Sequence, residues 1–348
     1  MTWTGPGVPV AVFVVANILI CFFNENFPGA RLLRLPRLLL ISNRSELAPP
    51  NSRPRTYWCW DLLNPNHQAT SFCVGPVLLL CLRCMYLLYF AATLLVYQYT
   101  GSGLGTAGDY FKFLTNLSFI LFGLSGLFGT AVSAHHLLRG PCRVRQPHGP
   151  GAAPGPRGGA AAAGAVHGAD VRAAEYGQWR VYEYPLLYKL HLLLVETDAC
   201  MALFITCFFW ALVFPLQHKH TIDPSNPMVH GCHNFFILLD LAFSRIPLVS
   251  YHYQVVLWYG TAYAVVMWSI AGATGEWVYP MMNWDIPWSL IAYALLPILP
   301  FIALLVWYYV VVKPRELVGQ RLAAGPRGAA GPPPQGSPPA HQHGAARV

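Results

Sequence analysis

Six stretches of this chain, 75–98, 111–138, 185–216, 228–249, 253–273 and 288–312, run for roughly the 20 residues that a bilayer-crossing helix needs, each with little charge. A backbone that enters hydrocarbon must satisfy its own hydrogen bonds, so runs of this length and number fold as helices packed on helices. The class expected is therefore all-α: a polytopic transmembrane bundle with six core spans. A shorter apolar run at 7–23 has no Lys or Arg before it, unlike the basic start of a signal peptide. It reads as an N-out anchor helix and a seventh span.

Composition agrees. Charged residues make up 10% of the 348, against roughly 25% in soluble domains. That is too little charge to coat a soluble particle, which argues against a soluble enzyme or a disordered chain. The net charge of +8 comes from basic residues spread between apolar blocks, so topology explains it better than nucleic acid does. The nine cysteines are odd in number and mostly lie in apolar runs, which does not indicate a disulfide framework. Cys81 and Cys84 read as small core residues rather than metal ligands.

Three parts follow from this pattern. Residues 1–74 hold the anchor run and an Arg-rich segment from Arg31 to Arg55. Within it, Arg31, Arg34 and Arg37 recur among leucines, as in a short basic helix lying on anionic headgroups. Residues 75–312 form the membrane domain, interrupted by a Gly/Ala/Pro-rich loop, 139–180, that cannot bury a core. Residues 313–348 form a basic tail of similar composition, expected to be disordered. Lys and Arg concentrate in 31–55, the 139–180 loop and the tail, whereas the alternate connections carry one basic residue, Lys219. The positive-inside rule then puts the C-terminus in the cytoplasm.

Ionisable groups inside spans are costly and mark function by default. Five lie there: Arg83, Glu196, Asp198, Asp240 and Arg245. The bland account is a buried pair that fixes helix packing, such as Arg83 with Asp198, with Arg245 near a cytoplasmic end. Full pairing leaves one acid over, to be protonated or matched by an imidazolium.

A sharper cluster gathers at the opposite face. Thr115 enters the second span there, His230 and His233 open the fourth, and Gly275 to Pro280 follows the fifth. His230 and His233 are three apart and so share one face of a regular helix. A hydroxyl beside an imidazole is the minimum nucleophile–base pair, and a site at this depth suits an ester with an apolar body. The bland reading is a back-bonded threonine and interface histidines. His230-x-x-His233 offers only two metal ligands locally, and no metal site is expected. Histidines on two helices could also clamp a b-type haem, but no cofactor is required by the residues.

These same segments carry a family resemblance. Phe113-Leu114-Thr115-Asn116, Tyr184 to Lys189, His230-Gly231-Cys232-His233-Asn234, Arg245-Ile246-Pro247 and Trp277-Val278-Tyr279-Pro280 occur in this order across 75–312. Together they resemble the rolling stone family of multipass membrane proteins, whose founding member is linked to myoblast fusion. The set is also distantly similar to the androgen-induced membrane hydrolases, which cleave fatty acid esters with a Thr and a His. That likeness implies Thr115 as nucleophile and His233 as base. His230, Glu276, Asn116 and Asn234 are the candidates for substrate positioning. Many rolling stone relatives carry Asn where this chain has His233. Two functions follow as expectations: an intramembrane lipid-ester hydrolase, or a non-catalytic membrane protein of adhesion, fusion or lipid binding. The expected partners are membrane lipids. If the first holds, Thr115 should approach His233 at the mouth of an apolar cavity.

Overall fold

The computed structural model describes residues 7–26, 60, 63–99, 111–142, 144–145, 181–182, 184–217 and 225–324. The Arg31–Arg55 segment, most of the 139–180 loop and the tail beyond residue 324 lie outside the described residues.

The apolar runs fold into the expected all-α bundle, but among the described residues five helices, not six or seven, are long and apolar enough to cross a membrane; Gly7–Leu19 and Met228–Phe243 are shorter apolar helices. In chain order the helices are α1 (Gly7–Asn26), α2 (Pro76–Tyr99), α3 (Leu114–Arg139), α4 (Leu186–Phe208), α5 (His233–Phe243), α6 (Tyr253–Thr274), α7 (Ser289–Trp307) and α8 (Lys313–Ala324). α4 is the hub: it packs on α3, α5, α6 and α7. α2 packs on α3 and α5, and α1 packs on α7. Phe13 of α1 is buried, edge-on to Trp268 and Tyr293.

α2 and α3 approach closely because α3 presents glycines every third residue. A Cβ on Gly123 would stand 2.4 Å from Phe90, and one on Gly126 would stand 2.4 Å from Tyr86. At Gly129 it would meet His191 at 2.9 Å and Arg83 at 3.3 Å. Without a hydrophobic force between helices in lipid, such small-residue seams let backbones and large side chains interlock.

Three boundaries differ from expectation. The fourth span, expected to reach residue 249, ends at Phe243. Ser244 turns extended, and the run before Pro247 is pinned by Arg245 N–H to the carbonyls of His67 and Thr70. Pro247 disfavours helix in the residue before it. The resulting helix, Met228–Phe243, is a shorter apolar one. The tail does not leave the fold at Lys313: a π-helical turn, Tyr308–Val312, leads into α8. α8 is held because Arg315 donates to the carbonyls of Leu241 at 2.6 Å and Ile246 at 2.9 Å, capping the end of α5. Finally, the ends of the 139–180 loop meet in a two-residue antiparallel ladder, Val144 opposite Tyr182.

Gly275, at φ 74°, ends α6 in the left-handed conformation. It turns the chain into the Glu276–Pro280 connection that leads to α7.

Candidate functional site

A cavity of about 420 Å³ opens among α3, α4, α6 and α7. Its body is apolar, built from residues such as Phe204, Phe208, Leu212, Leu295, Leu296 and Leu299. Polar groups enter its wall from four separate segments: Thr115 and Asn116 at the start of α3, Asn226 and His230 before α5, Tyr263 on α6, and Tyr279 in the following connection. Among the described residues, no Asp, Glu, Lys or Arg lines it.

Thr115 is 9% exposed. Phe113 precedes it in extended conformation and caps α3 without a side-chain bond, so α3 begins at the cavity. The Tyr279 phenol lies beside the side chains of Thr115 and Tyr263. Burial pushes this phenol above the ordinary tyrosine range, so it stays a neutral hydroxyl. Tyr263 in turn donates to the carbonyl of Lys112 at 2.8 Å, holding the approach to α3.

His230 sits within a π-helical turn, Met228–Cys232, and a second π-helical turn, Phe209–Val213, faces it from the end of α4. The two turns meet through stacked rings: Phe209 and His230 are parallel within 2°, their centroids 3.4 Å apart. Trp210 Nε1 donates to the His230 carbonyl at 3.2 Å. π-helical turns disturb the regular backbone ladder, and such freed carbonyls need outside partners.

The two histidines therefore do not share a face, contrary to the regular-helix expectation. The wide turn ends at Cys232 and α5 starts at His233, which changes the angular step between them. His230 lines the cavity and His233 does not. His233 packs edge-on to Phe122, ring centroids 5.7 Å apart, with its Nδ1 buried and unpartnered. Phe122 lies seven residues, about two helical turns, beyond Thr115 on α3.

The other positioning candidates divide. Asn116 is on the wall. Asn234 instead donates to Thr206 Oγ1 at 2.6 Å, tying α5 to α4. Glu276 is exposed, its backbone N–H held by Thr274 Oγ1 at 3.1 Å. Tyr263 and Asn226 were not among the residues singled out from sequence. Tyr279 was visible only as part of the Trp277–Pro280 motif, since an isolated tyrosine near a span end reads as an interface anchor.

None of the five charged span residues lines the cavity. Arg83 pairs with Asp240, not with Asp198: its Nε stands 2.9 Å from Asp240 Oδ1. The same guanidinium donates to the Gly129 carbonyl at 3.1 Å and to Ser133 Oγ at 2.7 Å. Asp198 lies one turn along, where Tyr86 rather than a cation meets it, its hydroxyl donating to Oδ2 at 2.6 Å. Helix azimuth decides this pairing: α2 turns Arg83 toward the Gly129 notch and α5, and Tyr86 toward α4. Glu196 accepts from the Val249 N–H at 2.6 Å and meets His252 Nδ1 at 2.5 Å. Arg245 lies over the Phe72 ring, 4.3 Å from its centroid. His191 bonds Gln68 at 2.7 Å, and His135 bonds Tyr188 at 3.2 Å. Among the described residues, no group of three or more His, Cys, Asp or Glu converges to hold a metal ion.

No family model matches the chain, and neither a curated protein nor a solved structure does.

Proposed function

We propose that this multipass membrane protein binds a membrane-derived lipid, its polar end at Thr115, Asn116, His230 and Tyr279 and its tail between α4 and α7. The observation that carries this reading is the shape and chemistry of the cavity. It is apolar over most of its wall, and its hydroxyl, amide and imidazole groups come from segments far apart in sequence. A mostly apolar pocket with a few convergent polar groups is the usual form of a small-molecule site. The basic segments support a cytoplasmic C-terminus, with the cavity mouth at the opposite face.

A second reading adds chemistry to the same site: hydrolysis of a lipid ester. Thr115 Oγ would attack the carbonyl carbon while an imidazole takes its proton and returns it to the departing alkoxide. Water would then cleave the acyl-threonine. Two things favour it: Thr115 and an imidazole line one cavity, and the likeness to the androgen-induced hydrolases assigns the nucleophile to Thr115. That likeness assigns the base to His233, whereas the cavity wall favours His230. Membership of the rolling stone family, with a role in adhesion or fusion, belongs to the same proposal and rests on the motifs quoted above.

The test is lipid analysis of the purified protein beside an Ala292→Trp variant, which fills the cavity. A lipid that co-purifies with the wild type and is lost from the variant supports the binding reading; identical lipid content in both overturns it. Ester turnover by wild type, Thr115→Ala, His230→Ala and His233→Ala addresses the second reading, and equal turnover in all four removes it.

A further inference from the structure

We infer that the ligand of this cavity is a single-chain, electroneutral amphiphile, such as a monoacylglycerol or a fatty alcohol. It is not a fatty acid anion, a phospholipid or a two-chain lipid. This rests on the lipid-binding reading and narrows it by size and by charge.

Size comes first. One water-sized group occupies about 30 Å³ of condensed volume. The cavity volume of about 420 Å³ therefore holds on the order of 14 such groups. That accommodates one short acyl chain with a small polar head, or the head and proximal part of a longer chain. A two-chain lipid exceeds this volume, so one of its chains would have to remain outside the cavity.

Charge is the second constraint. Among the described residues, those lining the cavity include no Asp, Glu, Lys or Arg. Buried charged groups elsewhere in the bundle have their own partners: Arg83 has Asp240, Glu196 has His252 and the Val249 N–H, Arg315 has the end of α5, and Asp198 accepts from Tyr86. A carboxylate or phosphate entering the cavity would lose water and meet no Lys or Arg among the described lining residues, with the His230 imidazole as the one group there able to take up a positive charge; burying a poorly paired charge is strongly unfavourable. The groups at the polar end are suited to the opposite kind of head. Thr115, Tyr263 and Tyr279 bring hydroxyls that donate and accept, and Asn116 and Asn226 bring amides that do both. Such a set matches alcohol and ester oxygens. Trp288 stands at the entrance, 70% exposed, an amphipathic ring at the level where a neutral headgroup crosses from the interface.

The experiment measures binding of four radiolabelled probes to the full-length protein in nanodiscs: monooctanoylglycerol, octanoate, octanoyl lysophosphocholine and dioctanoylglycerol. The expected result is that monooctanoylglycerol binds at least about tenfold more tightly than each of the other three. Its binding should be lost in both Ala292→Trp and Leu295→Trp. A ranking with octanoate, the lysolipid or the diacyl lipid equal or tighter, still lost on filling the cavity, overturns this inference and leaves the lipid-binding reading standing. No binding by any probe, or binding indifferent to both filling variants, overturns the two together. The ranking within the wild type needs no variant, so a poorly folded substitution does not decide the outcome.

Discussion

Phe209 and His230 lie face to face, centroids 3.4 Å apart, although they belong to different helices and each sits in a π-helical turn. The stack sets the imidazole edge at the cavity while Phe209 itself forms part of the wall. His233, only three residues on, is turned toward Phe122 instead.

Replacing His230 with alanine should therefore weaken lipid binding more than replacing His233. Of the two, only His230 is placed to hydrogen-bond a ligand in the cavity, and one such bond contributes about 0.5–1.5 kcal/mol, so the loss at His230 should be up to about tenfold. Side-by-side binding isotherms check this. A larger loss at His233 would return the functional imidazole to the position the family likeness implies.

The Arg83–Asp240 pair is buried, with side chains 1% and 8% exposed. Removing one partner strands a charge, so Asp240→Asn should destabilise the bundle by about 3–5 kcal/mol. The double variant Arg83→Met, Asp240→Leu should recover most of that loss, because the apolar replacements need no partner. A double-mutant cycle followed by denaturant unfolding measures the coupling, and strictly additive costs would show that the pair does not act as one.

Gly126 and Gly260 predict opposite signs for the same change. A Cβ at Gly126 would come 2.4 Å from Tyr86, whereas one at Gly260 meets nothing within 4 Å. Gly126→Ala should cost about 1–3 kcal/mol through overpacking. Gly260→Ala should be neutral or stabilise by up to about 1 kcal/mol, since alanine is the better helix former. Melting temperatures of the two variants settle the comparison, and equal shifts would contradict the close α2–α3 seam.

His67, in the 3₁₀ turn Pro65–Gln68 outside the spans, is held well below its ordinary value of 6.5. Burial is the main cause, and the Arg245 and Arg315 charges add to it. The folded protein thus keeps His67 neutral while the unfolded chain takes up a proton near pH 6.5. Its contribution to stability is present above that pH and is lost as pH falls below it. Lowering pH from neutral toward 5 should depress the melting temperature of the wild type more than that of His67→Gln. Parallel pH profiles would show that His67 is not involved.

Apolar run length alone was enough to locate the helices of the membrane bundle, because each run must satisfy its backbone within itself. It was less reliable for ends: Arg315 has an exposed-tail composition around it, yet its guanidinium on the carbonyls of Leu241 and Ile246, with Gly319 packed on Phe72, keeps α8 on the bundle. The site was legible in part. Thr115, Asn116 and His230 were marked by their depth in the chain's topology. Glu276, at the same depth by sequence, is exposed to solvent, because Gly275 turns the chain outward.

What the amino-acid sequence determined by itself is the class, the rough spans and the face at which hydroxyl and imidazole groups gather. Those depend on hydrophobicity and charge summed along the chain. Tertiary structure alone decided that Arg83 meets Asp240, that His230 rather than His233 reaches the cavity, and that the described residues of the cavity wall carry no Asp, Glu, Lys or Arg. These depend on the azimuth of each helix. Glycine notches, prolines and π-helical turns shift that azimuth by amounts that only the packed neighbours fix.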